Sequence, residues 1–170
     1  MAEYVRHLRD IVGAEELLQI PSVSIALRDS DGRVLMARHS EGDLWLLPGG
    51  AVEPAETPAD AAVRETFEET GLFVRLTGLV GVFGGPEYVV HYRNGHRTSY
   101  VMSVFEAEAE GGVPQPDSQE VLEVRFVTER EADGLPKASW VGEVLRSVFL
   151  PDRTPGFRGA TWSPRQARQE

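Results

Sequence analysis

The chain has 170 residues, 26% of them charged, with a formal net charge of −10 and a pI near 4.9. That balance excludes the basic face that general nucleic-acid binding requires, and the lack of cysteine excludes disulfides, thiolate metal sites and cysteine nucleophiles together. No apolar run is long enough to cross a bilayer, and Arg6, Arg9 and Asp10 interrupt the beginning, so a soluble cytoplasmic protein with no membrane or nucleic-acid partner is expected.

A chain of this length buries roughly 70% of its unfolded surface, enough for one domain with a real core. Glu3 to Ile11 reads as a helix with Tyr4, Leu8 and Ile11 on one face. It belongs to an N-terminal extension, residues 1–19, that is either a packed cap or a contact in a homodimer. Pro21 to Arg28 alternates, with Val23, Ile25 and Leu27 on one face and small Ser22, Ser24 and Ala26 on the other. Asp31-Gly32 then signals a hairpin into Arg33 to Arg38. Trp45-Leu46-Leu47 is a short strand broken by Pro48-Gly49-Gly50, where the backbone can approach a ligand closely.

The next helix runs from Pro58 to Thr70, with Thr57 as N-cap, Pro58 at the first helical position and Gly71 as C-cap. Phe73 to Phe83 is a strand interrupted by glycines and ended by Gly84-Gly85-Pro86. Glu87 to Tyr92 and Thr98 to Phe105 flank Asn94-Gly95 as a second hairpin. Val121 to Val127 supplies another strand. Ser139 to Phe149 closes the domain as a helix, with Val141, Val144, Leu145 and Val148 at helical spacing. Helices on both sides of a mixed sheet follow, over residues 20–150. The remainder, 151–170, is a polar tail with Arg153, Arg158, Arg165 and Arg168 against Asp152 and Glu170. It is either loosely attached or pinned by Phe157 and Trp162.

The informative run is residues 50–72, GAVEPAETPADAAVRETFEETGL. Residues three and four apart on a helix are neighbours, so Glu65 shares a face with Glu68 and Glu69, and each like-charged pair costs an isolated helix roughly 0.2–0.5 kcal/mol. A bound cation compensates such a cluster; the alternative is an acidic surface helix without a ligand. Carboxylate oxygens suit magnesium, manganese or calcium rather than zinc, and magnesium is usually shared between one or two carboxylates and substrate phosphates.

With Gly50, Glu56, Arg64, Glu65, Glu68, Glu69, Gly71 and Leu72 at their spacings, the segment resembles the Nudix box, from which only Thr66 departs by standing where an apolar residue is usual. The resemblance implies an α/β/α sandwich around a mixed sheet and a metal-assisted pyrophosphohydrolase acting on a nucleoside diphosphate linked to another moiety. It further implies Mg2+, or Mn2+ in its place, held by Glu65, Glu68 and Glu69 with the Gly49 carbonyl as a further ligand. Arg64 and Glu56 would then be an orienting pair. A box glutamate or a carboxylate from a later loop would take the proton, with Glu120 as the later-loop candidate and Glu123 as its competitor.

Outside the box, Trp45, Tyr88, His91 and Tyr92 are candidate stacking surfaces for a base, although each also reads as core or hairpin surface. ADP-ribose or a nucleotide sugar is the leading substrate class. A nucleoside triphosphate pyrophosphohydrolase of the nucleotide-sanitising kind and a non-catalytic nucleotide-sensing module are the alternatives.

Overall fold

The computed structural model describes residues 3–150, 154–157 and 159–160. Seven strands form one mixed sheet among the described residues: β1 (Leu17–Arg28), β2 (Val34–His39), β3 (Trp45–Leu46), β4 (Leu72–Phe83), β5 (Val89–His91), β6 (Arg97–Gly112) and β7 (Val121–Val127). Its spine is β3-β2-β1-β6-β4, with β5 beside β6 and β7 beside β2. β1 and β6 pair in parallel from Leu17↔Arg97 to Arg28↔Glu108, while β4 runs antiparallel to β6. β4 carries register shifts near Gly78 and Gly81, where the sequence shows its glycines.

β1 meets β2 only at the hairpin end, Arg28↔Val34. Beyond that point the Gly loop after β3 takes over the open edge of β1, through Ile25 N–H to Pro48 O (2.9 Å), Val23 N–H to Gly50 O (2.9 Å) and Val52 N–H to Pro21 O (3.0 Å). The loop is therefore held like a strand, and its glycines have fixed positions.

Both faces of the sheet are covered, because both sides of β1 are apolar or small. On one face Val23, Ile25, Leu27 and Leu35 pack with Ala61 and Ala62 of α2 (Pro58–Thr70). On the other, Ala26, Val34, Met36, Met102 and Val104 pack with Val141, Val144, Leu145 and Val148 of α4 (Ser139–Phe149). The result is an α/β/α sandwich with the sheet in the middle. No helix of the described residues is long and apolar enough to cross a membrane.

Three elements differ from the sequence reading. Of the strand expected over Glu87 to Tyr92, Pro86–Tyr88 is a turn of 3-10 helix and only Val89–His91 pairs with β6. In α1 (Glu3–Val12) the inward residues are Val5 and Arg9, with Leu8 half-buried, whereas Tyr4 and Ile11 are 37% and 67% exposed. The reason is polar. The guanidinium of Arg9 donates to the carbonyls of Gly13 (3.3 Å), Glu16 (2.6 Å) and Arg97, and to Thr98 Oγ1 (3.2 Å), so a buried cation sets the rotation of the helix. A further helix, α3 (Glu129–Gly134), was not anticipated, although Thr128 and Glu131 form a capping box at its start.

Of the tail, Trp162 lies outside the described residues. Gly156 bridges Gly81 of β4, while Phe157 is 81% exposed and does not pin the segment.

Candidate active site

α2 starts where its sequence says it must. Thr57 Oγ1 accepts from Asp60 N–H at 3.1 Å and donates to Asp60 Oδ2 at 2.6 Å, and the helix ends on Gly71 at φ 70°. Its inward surface is small: Ala61, Ala62 and Thr66 are wholly buried, and the Thr66 hydroxyl donates to Ala62 O at 2.8 Å. A hydroxyl satisfied within its own helix lets threonine stand at an apolar position. The helix can then sit close to the sheet, and Glu69, one turn on, is carried into the interior with it.

Glu69 is 6% exposed, and its Oε2 accepts the Gly49 N–H at 2.9 Å. Burial raises its pKa to about 8; the Gly49 bond opposes this, while the charges of Glu65, Glu120 and Asp117 add to it. Glu65 is also raised, by burial first, with Arg64 pulling it back. The two glycines above them admit no side chain. A Cβ on Gly49 would stand 2.1 Å from Val23 O, and one on Gly50 would stand 2.5 Å from the Glu65 carboxyl carbon. Gly49 is further fixed by its φ of 149°.

Arg64 gathers the rest. Its fork meets both oxygens of Glu56 (2.6 and 3.1 Å), and it donates to Glu65 Oε1 (2.9 Å), Glu68 Oε2 (3.0 Å) and the Ala51 carbonyl (3.2 Å). Glu56 in turn accepts the Glu53 N–H at 2.7 Å, which closes the loop onto the helix. Hydrogen bonds from Arg64 lower the Glu56 pKa and outweigh the opposing effect of burial. Glu68 stands at the rim, with its side chain 56% exposed.

Across from α2, a tight turn presents Glu120. The Asp117 carboxylate accepts the N–H groups of Gln119, Glu120 and Val121 at 3.1, 3.1 and 2.8 Å, which fixes the turn. The Glu120 carbonyl accepts Ser40 N–H at 2.9 Å. Its charge reaches Glu65, Glu69 and His39. Glu123 is turned elsewhere, onto Arg38 at 3.2 Å, and Arg38 also holds Asp43 at 2.7 Å.

The aromatic candidates separate. Trp45 (4% exposed) and Tyr88 (2%) belong to the α4-side core, with Arg125 over the Trp45 ring and the Tyr88 hydroxyl bonded to Glu143 at 3.0 Å, so neither offers a face to a ligand. Both are corrected on that ground: large flat side chains beside an apolar helix fill its core first. His91 is exposed on β5, and Tyr92 is half-buried with its hydroxyl on Tyr100.

The sequence reading also passed over His39. Its Nε2 is buried without a hydrogen-bond partner, 3.9 Å from Glu69 Oε1, and burial lowers its pKa against the pull of Glu120 and Asp117. Nothing in the local pattern marks it, because its neighbours arrive from β7 and α2.

Among the described residues no three acidic or histidine side chains converge as a ready-made cation cage. Arg64 draws Glu65 and Glu68 to itself, and Glu69 faces an amide. The donor chemistry nevertheless fits a hard divalent cation. The available atoms are carboxylate oxygens and the Gly49 carbonyl, which accepts no hydrogen bond among the described residues although its neighbours at Pro48 and Gly50 do. Burial raises the Glu69 carboxyl to about 8, and a cation beside it would favour its ionised form.

Residues 18–148 match the NUDIX domain. A MutT-like protein from Streptomyces ambofaciens is 38% identical over 100 residues, 58% of this chain and 58% of the relative. An RNA pyrophosphohydrolase from Halorhodospira halophila is 50% identical over 52 residues, 31% of this chain and 29% of the relative. The chain thus spans less than two thirds of the length of either. A solved NUDIX hydrolase from Nitrosomonas europaea superposes with a TM-score of 0.64 at 17% identity, over 81% of this chain and 93% of that one, which is a likeness of fold.

Proposed function

Because the chain belongs to the Nudix family, we propose that it is a metal-dependent pyrophosphohydrolase cleaving a nucleoside diphosphate linked to a second moiety, such as ADP-ribose or a nucleotide sugar. The observation that carries this reading is the Glu69 carboxyl, buried under Gly49 beside Glu65, with the charge of Glu120 acting on both. Residues 20–150 are the hydrolase domain in this reading, 1–19 an extension and 151–170 a tail.

Glu65, Glu68, Glu69 and the Gly49 carbonyl would hold magnesium, with manganese as a substitute. A divalent cation there supplies neutralisation of the pyrophosphate oxygens and a more acidic water. The chain's own groups do the rest. Gly49 and Gly50 let the loop backbone lie directly against β1 and the Glu65 carboxyl. Arg64 is a positioning residue that keeps Glu65 and the Glu56 loop in place. Glu120 takes the proton as the water oxygen bonds to phosphorus, and the anhydride P–O bond breaks with its electron pair left on the departing phosphate.

The test is turnover of ADP-ribose with magnesium in oxygen-18 water. AMP and ribose 5-phosphate are expected, with the label on one phosphate. Label in a sugar or base fragment, or unchanged turnover after chelation, overturns the reading.

A further inference from the structure

On the sheet face that carries α4, a row of polar groups leads away from the Gly loop. Ser22 bridges Ala51 of that loop and lies opposite Met102 of β6. Two residues back along both strands, about 7 Å at strand rise, Ile20 lies opposite Tyr100 on the same face. The Ser22 hydroxyl is buried without a partner. The Tyr100 hydroxyl is 2.5 Å from that of Tyr92, which reaches over from the β5–β6 hairpin. Two phenols that share one hydrogen bond retain one O–H donor and several lone pairs for a third group.

This pair is braced from outside the region that matches the family. Arg9 of α1 donates to Thr98 Oγ1, two residues from Tyr100 on the same face of β6, and to the Arg97 carbonyl. The other end of α1 is tied to the loop before α2, where both Glu53 oxygens accept Tyr4 N–H at 3.3 Å. One helix therefore links the box loop to the tyrosines.

The charged surroundings narrow the ligand. Glu41 and Glu120 act on Tyr92, and burial holds both phenols in the neutral form. Arg9 is held by carbonyls, Arg97 by the Glu15 carbonyl, Arg38 by Asp43 and Glu123, and Arg64 by Glu56, Glu65 and Glu68. Neutral phenols under the influence of carboxylates suit neutral hydroxyls better than additional phosphate.

We propose that the Tyr92–Tyr100 hydroxyl pair, positioned by Arg9, reads the non-phosphate part of the substrate and selects a hydroxyl-rich sugar moiety over a further phosphate group. This rests on the hydrolytic reading above, of which it specifies the substrate class.

The experiment compares wild type, Tyr92→Phe and Tyr100→Phe on ADP-ribose and on dATP, which keeps the adenine and lacks the second ribose and one hydroxyl of the first. Folding is checked by thermal melting, and binding of ADP-ribose without turnover is followed by calorimetry in the absence of metal. The KM for ADP-ribose should rise about tenfold in either variant, at least five times more than that for dATP, with kcat falling by less than KM rises. Loss of ADP-ribose affinity by the same factor should appear in the calorimetry. Equal changes for the two substrates, a fall confined to kcat, or no change overturns the inference. A wild-type chain that binds ADP-ribose without cleaving it removes only the hydrolytic reading, and one that does neither removes both.

Discussion

The acidic side and the tyrosine side are built from very different spans of chain. Glu56, Arg64, Glu65, Glu68 and Glu69 lie on one loop and one helix, and Arg64 alone bonds three of the four carboxylates. The tyrosine side joins residue 9 to residues 92, 98 and 100 across the sheet. The first holds its geometry through bonds between near neighbours. The second exists only when α1, the hairpin and β6 have docked, so damage to the acidic side should affect the chemical step and damage to the tyrosine side should affect recognition.

The largest expected effect is on the acidic side. Glu69→Gln should lower kcat by about 100- to 1,000-fold, the scale of losing one group that stabilises the transition state. Its melting temperature should hold or rise, because the change removes a carboxyl whose raised pKa records a cost of burial above pH 4.5. Turnover and melting on one sample decide this, and near-normal kcat with a lower melting temperature would make Glu69 a packing residue.

Glu120→Gln should slow hydrolysis about 100-fold, the lower range for removing a general base, whereas Glu123→Gln should cost little, since Glu123 is occupied by Arg38. The reverse ranking in steady-state kinetics would transfer the role to Glu123. Gly50→Ala should reduce kcat about tenfold, because its Cβ displaces the Glu65 carboxylate and small misplacements at a reacting centre are expensive.

Arg9→Met sharpens the comparison from the other side. It leaves the carbonyls of Gly13, Glu16 and Arg97 without their donor, for a loss of about 2–3 kcal/mol in denaturant unfolding. In the folded fraction KM for ADP-ribose should rise more than kcat falls. A kcat loss as deep as that of Glu69→Gln would show that the two sides are one cooperative unit. The smallest effect is expected of Thr57→Ala, about 1 kcal/mol of stability from the lost cap, with KM unaltered.

These differences in span explain what could be read in advance. The limits of α2, its cap at Thr57 and its stop at Gly71 follow from spacing and local backbone chemistry. So do both hairpins, β7 and α4, because turn residues and apolar periodicity act over a few positions. α3 was equally legible through its capping box and was missed.

The amino-acid sequence by itself determined an α/β chain without cysteine and with a box of acidic residues on one helix. Tertiary structure decided the rest. It placed Trp45 and Tyr88 in the core, turned α1 about Arg9, separated Glu120 from Glu123, and brought His39 beside Glu69 and Tyr92 beside Tyr100. Periodicity reports which face of an element is apolar, and it is silent on which distant element covers that face. The parallel pairing of β1 with β6 joins segments some eighty residues apart, and only that closure fixes which polar groups become neighbours.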